Sequence, residues 1–181
     1  MKLRFLLPFF LLGLLTASTP AQSIPPVNAK ALDDSQVILP PPTGHQLLIL
    51  LIGFSHKSGD ACGSWAMRLV ADYTSDPHTA YYQLAELQSA PSFVRGMILH
   101  GMRKDVPAAQ HSRFVPLYDH EPEWKKAVNF TTSAPDDPYI VVTAPGGDIL
   151  WQTHGSFTDS SYSDLKSAVA KLAVNPTKSQ F

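Results

Sequence analysis

The chain has 181 residues, with 14 basic and 15 acidic side chains, a net charge of −1 and 44% hydrophobic residues. That length suits one domain with a sizeable core, and the charge balance argues against a nucleic-acid surface, which needs a clustered basic excess. The chain has one cysteine, Cys62, which excludes both an internal disulfide and a dithiol active site.

Residues 1–21 read as an export signal. Lys2 and Arg4 give a positive start, Phe5 to Leu15 an apolar run, and Thr19-Pro20-Ala21 a small-residue cleavage site. The apolar run is shorter than the roughly 20 residues that span a bilayer. Membrane contact is therefore expected only through an uncleaved leader, and the expected location is periplasmic or extracellular. Residues 22–44, with Pro25-Pro26 and Pro40-Pro41-Pro42 and no sustained period, predict a Pro-rich linker. The domain is expected over 45–175, followed by a short tail at 176–181.

Within the domain, the apolar run from His45 to Phe54 predicts a central strand buried on both faces. A polar loop from Ser55 to Gly63 follows, with Asp60 or Ser64 as caps for a helix over about 61–73 that aligns Trp65, Leu69 and Tyr73. Thr79 to Leu87 predicts a strand. Pro91 then opens a helix ending in Arg103-Lys104, with Phe93, Met97 and Met102 on an apolar stripe read as core packing in preference to a client groove. Ser112 to Tyr118 predicts a short strand and Glu121 to Ala127 a short helix. Pro138 enters a strand over 139–143. Pro145-Gly146-Gly147 makes a turn into a second strand, and Ser161 with Asp164 resembles a capping pair for a closing helix.

In this order the elements resemble the thioredoxin-like superfamily, an α/β fold with a central mixed sheet flanked by helices. In that superfamily the residue matching Pro138 is a cis proline facing the active-site loop, so a cis Pro138 is what the resemblance implies. From about Leu48 to Leu172 the motif order is similar to the mitochondrial ATP synthase assembly factor family and its bacterial relatives. The matching features are Gly53-Phe54-Ser55, Ser64-Trp65, Met102 to Pro107, Tyr139-Ile140-Val141-Val142 and Gly147 to Trp151. That resemblance implies an assembly or chaperone role without a CxxC pair, although a secretory leader does not suit an ATP synthase client.

Two functional readings follow. The first is a non-dithiol binding or assembly module that holds a client protein or peptide beside Phe54, Trp65, Pro138 and Tyr139. The second is a single-cysteine thiol peroxidase or thiol transferase using Cys62. A cysteine near a helix start gains acidity from the helix dipole, and His56 and Lys57 in the same loop would add positive charge. Trp65 stands where a CxxC motif needs its second cysteine, and Asp60 opposes thiolate formation. No cofactor is expected. The seven histidines show no metal-ligand spacing, and His56 with Cys62 is the nearest approach to a metal pair. Asp119-His120-Glu121 reads as a solvated polar cluster.

Overall fold

The computed structural model describes residues 22–42 and 46–174. The segment expected to be an export signal (1–21), the expected 176–181 tail and His45 lie outside these residues. At the centre is the strand β3 (Leu47–Gly53), every residue of which is buried. Two further strands follow in sequence and lie parallel beside it, β4 (Thr79–Glu86) and β5 (Phe114–Leu117). On its other side β6 (Tyr139–Thr143) runs antiparallel to β3 and β7 (Ile149–His154) antiparallel to β6, giving the order β5-β4-β3-β6-β7. The uninterrupted run of Leu and Ile in β3 is what a strand covered on both faces requires.

One face of the sheet is covered by the helices α1 (His56–Tyr73) and α4 (Asp159–Val174). Trp65, Leu69, Tyr162, Leu165 and Val169 pack there on Ile49, Leu51, Ile140 and Val142. The opposite face carries α3 (Glu121–Ala127), whose Trp124 is buried among Leu50, Ile52 and Val141. The helix α2 (Ser92–Asp105) differs from the rest, because none of its residues is buried. It is tethered at both ends. Arg95 lies 5.1 Å from the Tyr118 ring centroid, and Arg103 donates to Leu32 O at 2.7 Å and to Asp34 at 2.9 Å.

The segment read as a linker is structured. Its described residues form a hairpin of β1 (Val27–Lys30) and β2 (Gln36–Leu39), and Ile24, Val27, Ala31, Val37 and Leu39 join the α3-side core. Alternation along β2, with Gln36 and Ile38 out and Val37 and Leu39 in, is the signal that the surrounding prolines hid. The chain before the hairpin is tied to the sheet as well, since Ile24 N–H donates to Gly147 O at 2.9 Å and Ile149 N–H to Gln22 O at 2.7 Å. Gly147 adopts φ +93°, and a Cβ there would lie 3.2 Å from both Ile24 and Pro40, so the turn needs glycine for conformation and for space.

Other differences are local. The closing helix begins at Asp159, and its cap is Thr158 with Ser161 rather than Ser161 with Asp164. Ser161 N–H donates to Thr158 Oγ1 at 3.0 Å, and Thr158 N–H donates to Ser161 Oγ at 3.0 Å. Among the described residues the cis peptide is Leu39–Pro40, so the bond before Pro138 is trans. That corrects the expectation drawn from the resemblance, and trans is the form X-Pro bonds favour by about 0.5–1 kcal/mol.

Candidate functional site

The start of α1 decides what Cys62 can do. Ser55 caps the helix reciprocally: its Oγ accepts from Ser58 N–H at 3.0 Å, and Ser58 Oγ accepts from Ser55 N–H at 2.8 Å. Ser55 Oγ also donates to Asp136 at 2.7 Å. The helix therefore begins at His56, earlier than the expected start near Ala61, because a Ser-x-x-Ser box closes it ahead of the expected caps Asp60 and Ser64. Cys62 then falls in the second turn, where its N–H is within the helix ladder and the dipole gives little help. Its side chain is 1% exposed, and burial pushes the thiol up to about 12, so a thiolate is not populated at neutral pH.

His56 and Lys57 do not tune that thiol. His56 has a side chain 92% exposed and pairs with Asp60 at 3.3 Å, while Lys57 reaches Asp136 at 3.6 Å. Six residues of helix place His56 about 240° around the axis from Cys62, so the two do not form a metal pair. Among the described residues no group of three or more His, Cys, Asp or Glu side chains is placed to hold a metal ion.

Three of the four residues read as a binding surface, Trp65, Pro138 and Tyr139, are buried in the chain's own packing, and the fourth, Phe54, is half-buried and lines the cleft between α1 and α2. Trp65 is buried on the α1 side, with its Nε1–H donating to Gly155 O at 3.1 Å and its ring edge-on to Phe157. Tyr139 is buried on the α3 side, with its hydroxyl accepting from Thr131 N–H at 3.0 Å. Phe54 packs edge-on against Tyr139 and Phe130. Pro138 is buried at the entry to β6, its carbonyl accepting from Gly155 N–H. The expected strand-addition edge beside Pro138 is thus replaced by core contacts.

Two arrangements were not found from sequence. His154 and Asp137, distant in sequence, meet at 2.7 Å with the imidazole stacked on Tyr139. They come together because the antiparallel register sets His154 opposite Tyr139. The second is Glu86, at the carboxyl end of β4, which is buried with Oε1 accepting from Gln88 N–H and with Oε2 unpartnered. Burial, reinforced by the charges of Glu121 and Asp119 and opposed by the Gln88 N–H, pushes its carboxyl up to about 7.

The protonated form of Glu86 is thus favoured by folding. Its contribution is fully present below the unfolded value near 4.5 and is lost as pH rises through about 7. Glu86 lines an open cleft, and discounted for solvent reaching it from there the expected loss is about 1–2 kcal/mol. Glu86→Gln should remove that part of the slope, so urea midpoints at pH 5 and pH 8 should differ less in the variant than in the parent. Equal slopes in the two proteins would exclude the assignment.

Among the described residues a large concavity lies between α1 and α2, above β4. It encloses about 1220 Å³ and is lined on one side by Gly59, Gly63, Ala66, Met67 and Val70 of α1 and on the other by Met97, Ile98, Gly101 and Met102 of α2. The Met97 to Met102 stripe, read as core, is therefore the wall of an open cleft. Met97 is 71% exposed and Met67 69%. The stripe's periodicity was the signal, and periodicity alone does not say whether a facing surface exists to bury it.

The exposed lipoprotein thioredoxin of Streptococcus pneumoniae superposes with a TM-score of 0.55 at 9% identity, over 81% of this chain and 99% of that one. The fold is thioredoxin-like. The thioredoxin domain of a thiol-disulfide oxidoreductase from Bacteroides vulgatus gives 0.55 at 14% identity over 83% and 98%. A thiol-disulfide oxidoreductase from Bacteroides fragilis gives 0.53 at 15% over 80% and 98%. At these identities the likeness concerns the fold. No protein-family model matches the chain, and no curated protein matches it. Nothing at the sequence level connects it to the ATP synthase assembly factors. Among the described residues no helix is long and apolar enough to cross a membrane.

Proposed function

We propose that this thioredoxin-like chain is a binding module that works without thiol chemistry and holds a segment of another protein in the cleft between α1 and α2. The observation that carries the reading is the pairing of a buried, unionised Cys62 with an open Met-lined cleft on the same helix. Methionine side chains adapt to varied apolar partners, and exposed apolar walls of this size mark interaction surfaces. An assembly role, of the kind carried by the family whose motif order the chain resembles, fits a module of this sort. Export through the 1–21 leader is part of the same proposal, and N-terminal sequencing of the secreted protein tests it by showing whether the mature chain begins at Gln22.

The central test uses insulin reduced by dithiothreitol, whose freed chains precipitate. A binding module slows the rise in turbidity, and Cys62→Ala should slow it as well as the parent does. Iodoacetamide should leave Cys62 unmodified in the folded protein at pH 8 and modify it in urea. Faster precipitation with the parent than with Cys62→Ala, together with alkylation of the folded protein, would replace this reading with the single-cysteine enzyme.

A further inference from the structure

The cleft has a chemical bias that narrows its occupant. Small-molecule pockets run to roughly 300–1,000 Å³, whereas this one, at about 1220 Å³, is larger. Its walls are two helices of different character. The α1 wall presents Gly59, Gly63 and Ala66, and a Cβ added at either glycine would meet nothing within 4 Å, so that wall admits close approach of another backbone. The α2 wall presents Met97, Ile98 and Met102 on a 14-residue helix with no buried residue. An isolated helix of that length is marginal in water, and an apolar partner laid against it would supply the missing burial.

Charge selects among apolar partners. Asp60 stands on the α1 wall and Asp105 on the α2 wall, both exposed. The cations among the lining residues are already engaged. Arg113 lies 4.7 Å from the Tyr81 ring centroid and donates to Tyr81 O and Thr74 O, and His56 is held by Asp60. Asp105 on the α2 wall, with Asp60 shared with His56 on the α1 wall, gives the apolar trough an acidic bias that complements a segment apolar on one face and basic at its edges.

We propose that the α1–α2 cleft receives a basic amphipathic helix from a partner protein, with its apolar face on Met67, Met97, Ile98 and Met102 and its lysine or arginine side chains over Asp60 and Asp105. This is the helix-in-groove mode, in which apolar residues at i, i+3, i+4 and i+7 anchor the ligand and rim charges set its direction. The inference rests on the binding role proposed above and adds the class of segment that is bound.

The test is fluorescence anisotropy with a labelled 16-residue peptide of leucine and lysine arranged to give one apolar helical face. Two controls accompany it: the same composition scrambled to remove that face, and the same pattern with glutamate in place of lysine. The patterned lysine peptide should bind at least about tenfold more tightly than either control, a difference of about 1.4 kcal/mol. Met97→Lys should weaken it by a similar factor. Asp60→Asn combined with Asp105→Asn should weaken it several-fold and flatten its salt dependence. All three positions are exposed, so the variants should keep the parent's far-UV circular dichroism and urea midpoint. Equal binding of the scrambled or glutamate peptide would overturn the inference, as would indifference to Met97→Lys. Concentration-dependent self-association lost in Met97→Lys would overturn it too, by making a second copy the occupant. Each of these results leaves the Cys62 experiments standing, so failure here is distinguishable from failure of the binding role itself.

Discussion

Trp65→Ala should destabilise the protein by about 3–5 kcal/mol, the range for removing a fully buried aromatic side chain. The residue is 1% exposed and joins three elements. Its ring meets Phe157 edge-on at 5.5 Å between centroids and Tyr162 at 6.2 Å, and its Nε1–H holds Gly155 O at the corner between β7 and α4. Trp65→Phe separates these terms. It keeps most of the packing and strips the donor from Gly155 O, at a cost of about 0.5–1.5 kcal/mol for the hydrogen bond lost. Urea titrations followed by circular dichroism should rank parent, Trp65→Phe and Trp65→Ala in that order. A Trp65→Ala midpoint close to the parent's would mean the tryptophan is a surface residue, as the expectation of a binding face at this position requires.

The same residue shows how much of the site was legible. Trp65, Leu69 and Tyr73 fall on one face by spacing, and that face does bury. Spacing does not say whether the buried face carries chemistry. Reading Cys62 as a helix-start cysteine depended on where α1 begins, and the start moved from about Ala61 to His56 because the cap is Ser55 with Ser58. A shift of five residues carries Cys62 from the dipole's positive end into the core, and it reverses the direction in which its acidity moves. The strands were more legible, since β3 is a continuous apolar run and Pro138, Gly147 and Gly155 punctuate β6 and β7. The spacing of Phe93, Met97 and Met102 marks an apolar stripe on α2 but not what covers it. Amphipathicity predicts that a face wants cover, and only the placement of α2 against its neighbours shows that nothing in the described chain provides it. The meeting of His154 with Asp137 is a consequence of strand register, which no local pattern encodes.

Leu39→Ala should cost about 2–5 kcal/mol, whereas Ile38→Ala, one residue earlier on the same strand, should stay within about 0.5 kcal/mol. The pair decides between a linker and a structural hairpin more sharply than a truncation does, because a linker predicts two neutral substitutions. In β2 the two side chains point to opposite faces, Leu39 at 1% exposure into the α3-side core and Ile38 at 51% into solvent. The burial has a cause beyond the hairpin. Arg103 of α2 grips Leu32 O and Asp34 at the hairpin turn, and Leu32 N–H donates to the carbonyls of His111 and Phe114. The hairpin thus fixes one end of the helix that walls the cleft. Loss of Leu39 should consequently loosen α2 as well as the core, and amide exchange along 92–105 should accelerate in Leu39→Ala while remaining at the parent's rate in Ile38→Ala. Equal exchange in the two variants would separate the hairpin from the cleft and leave α2 to be held by Arg95 and Tyr118 alone.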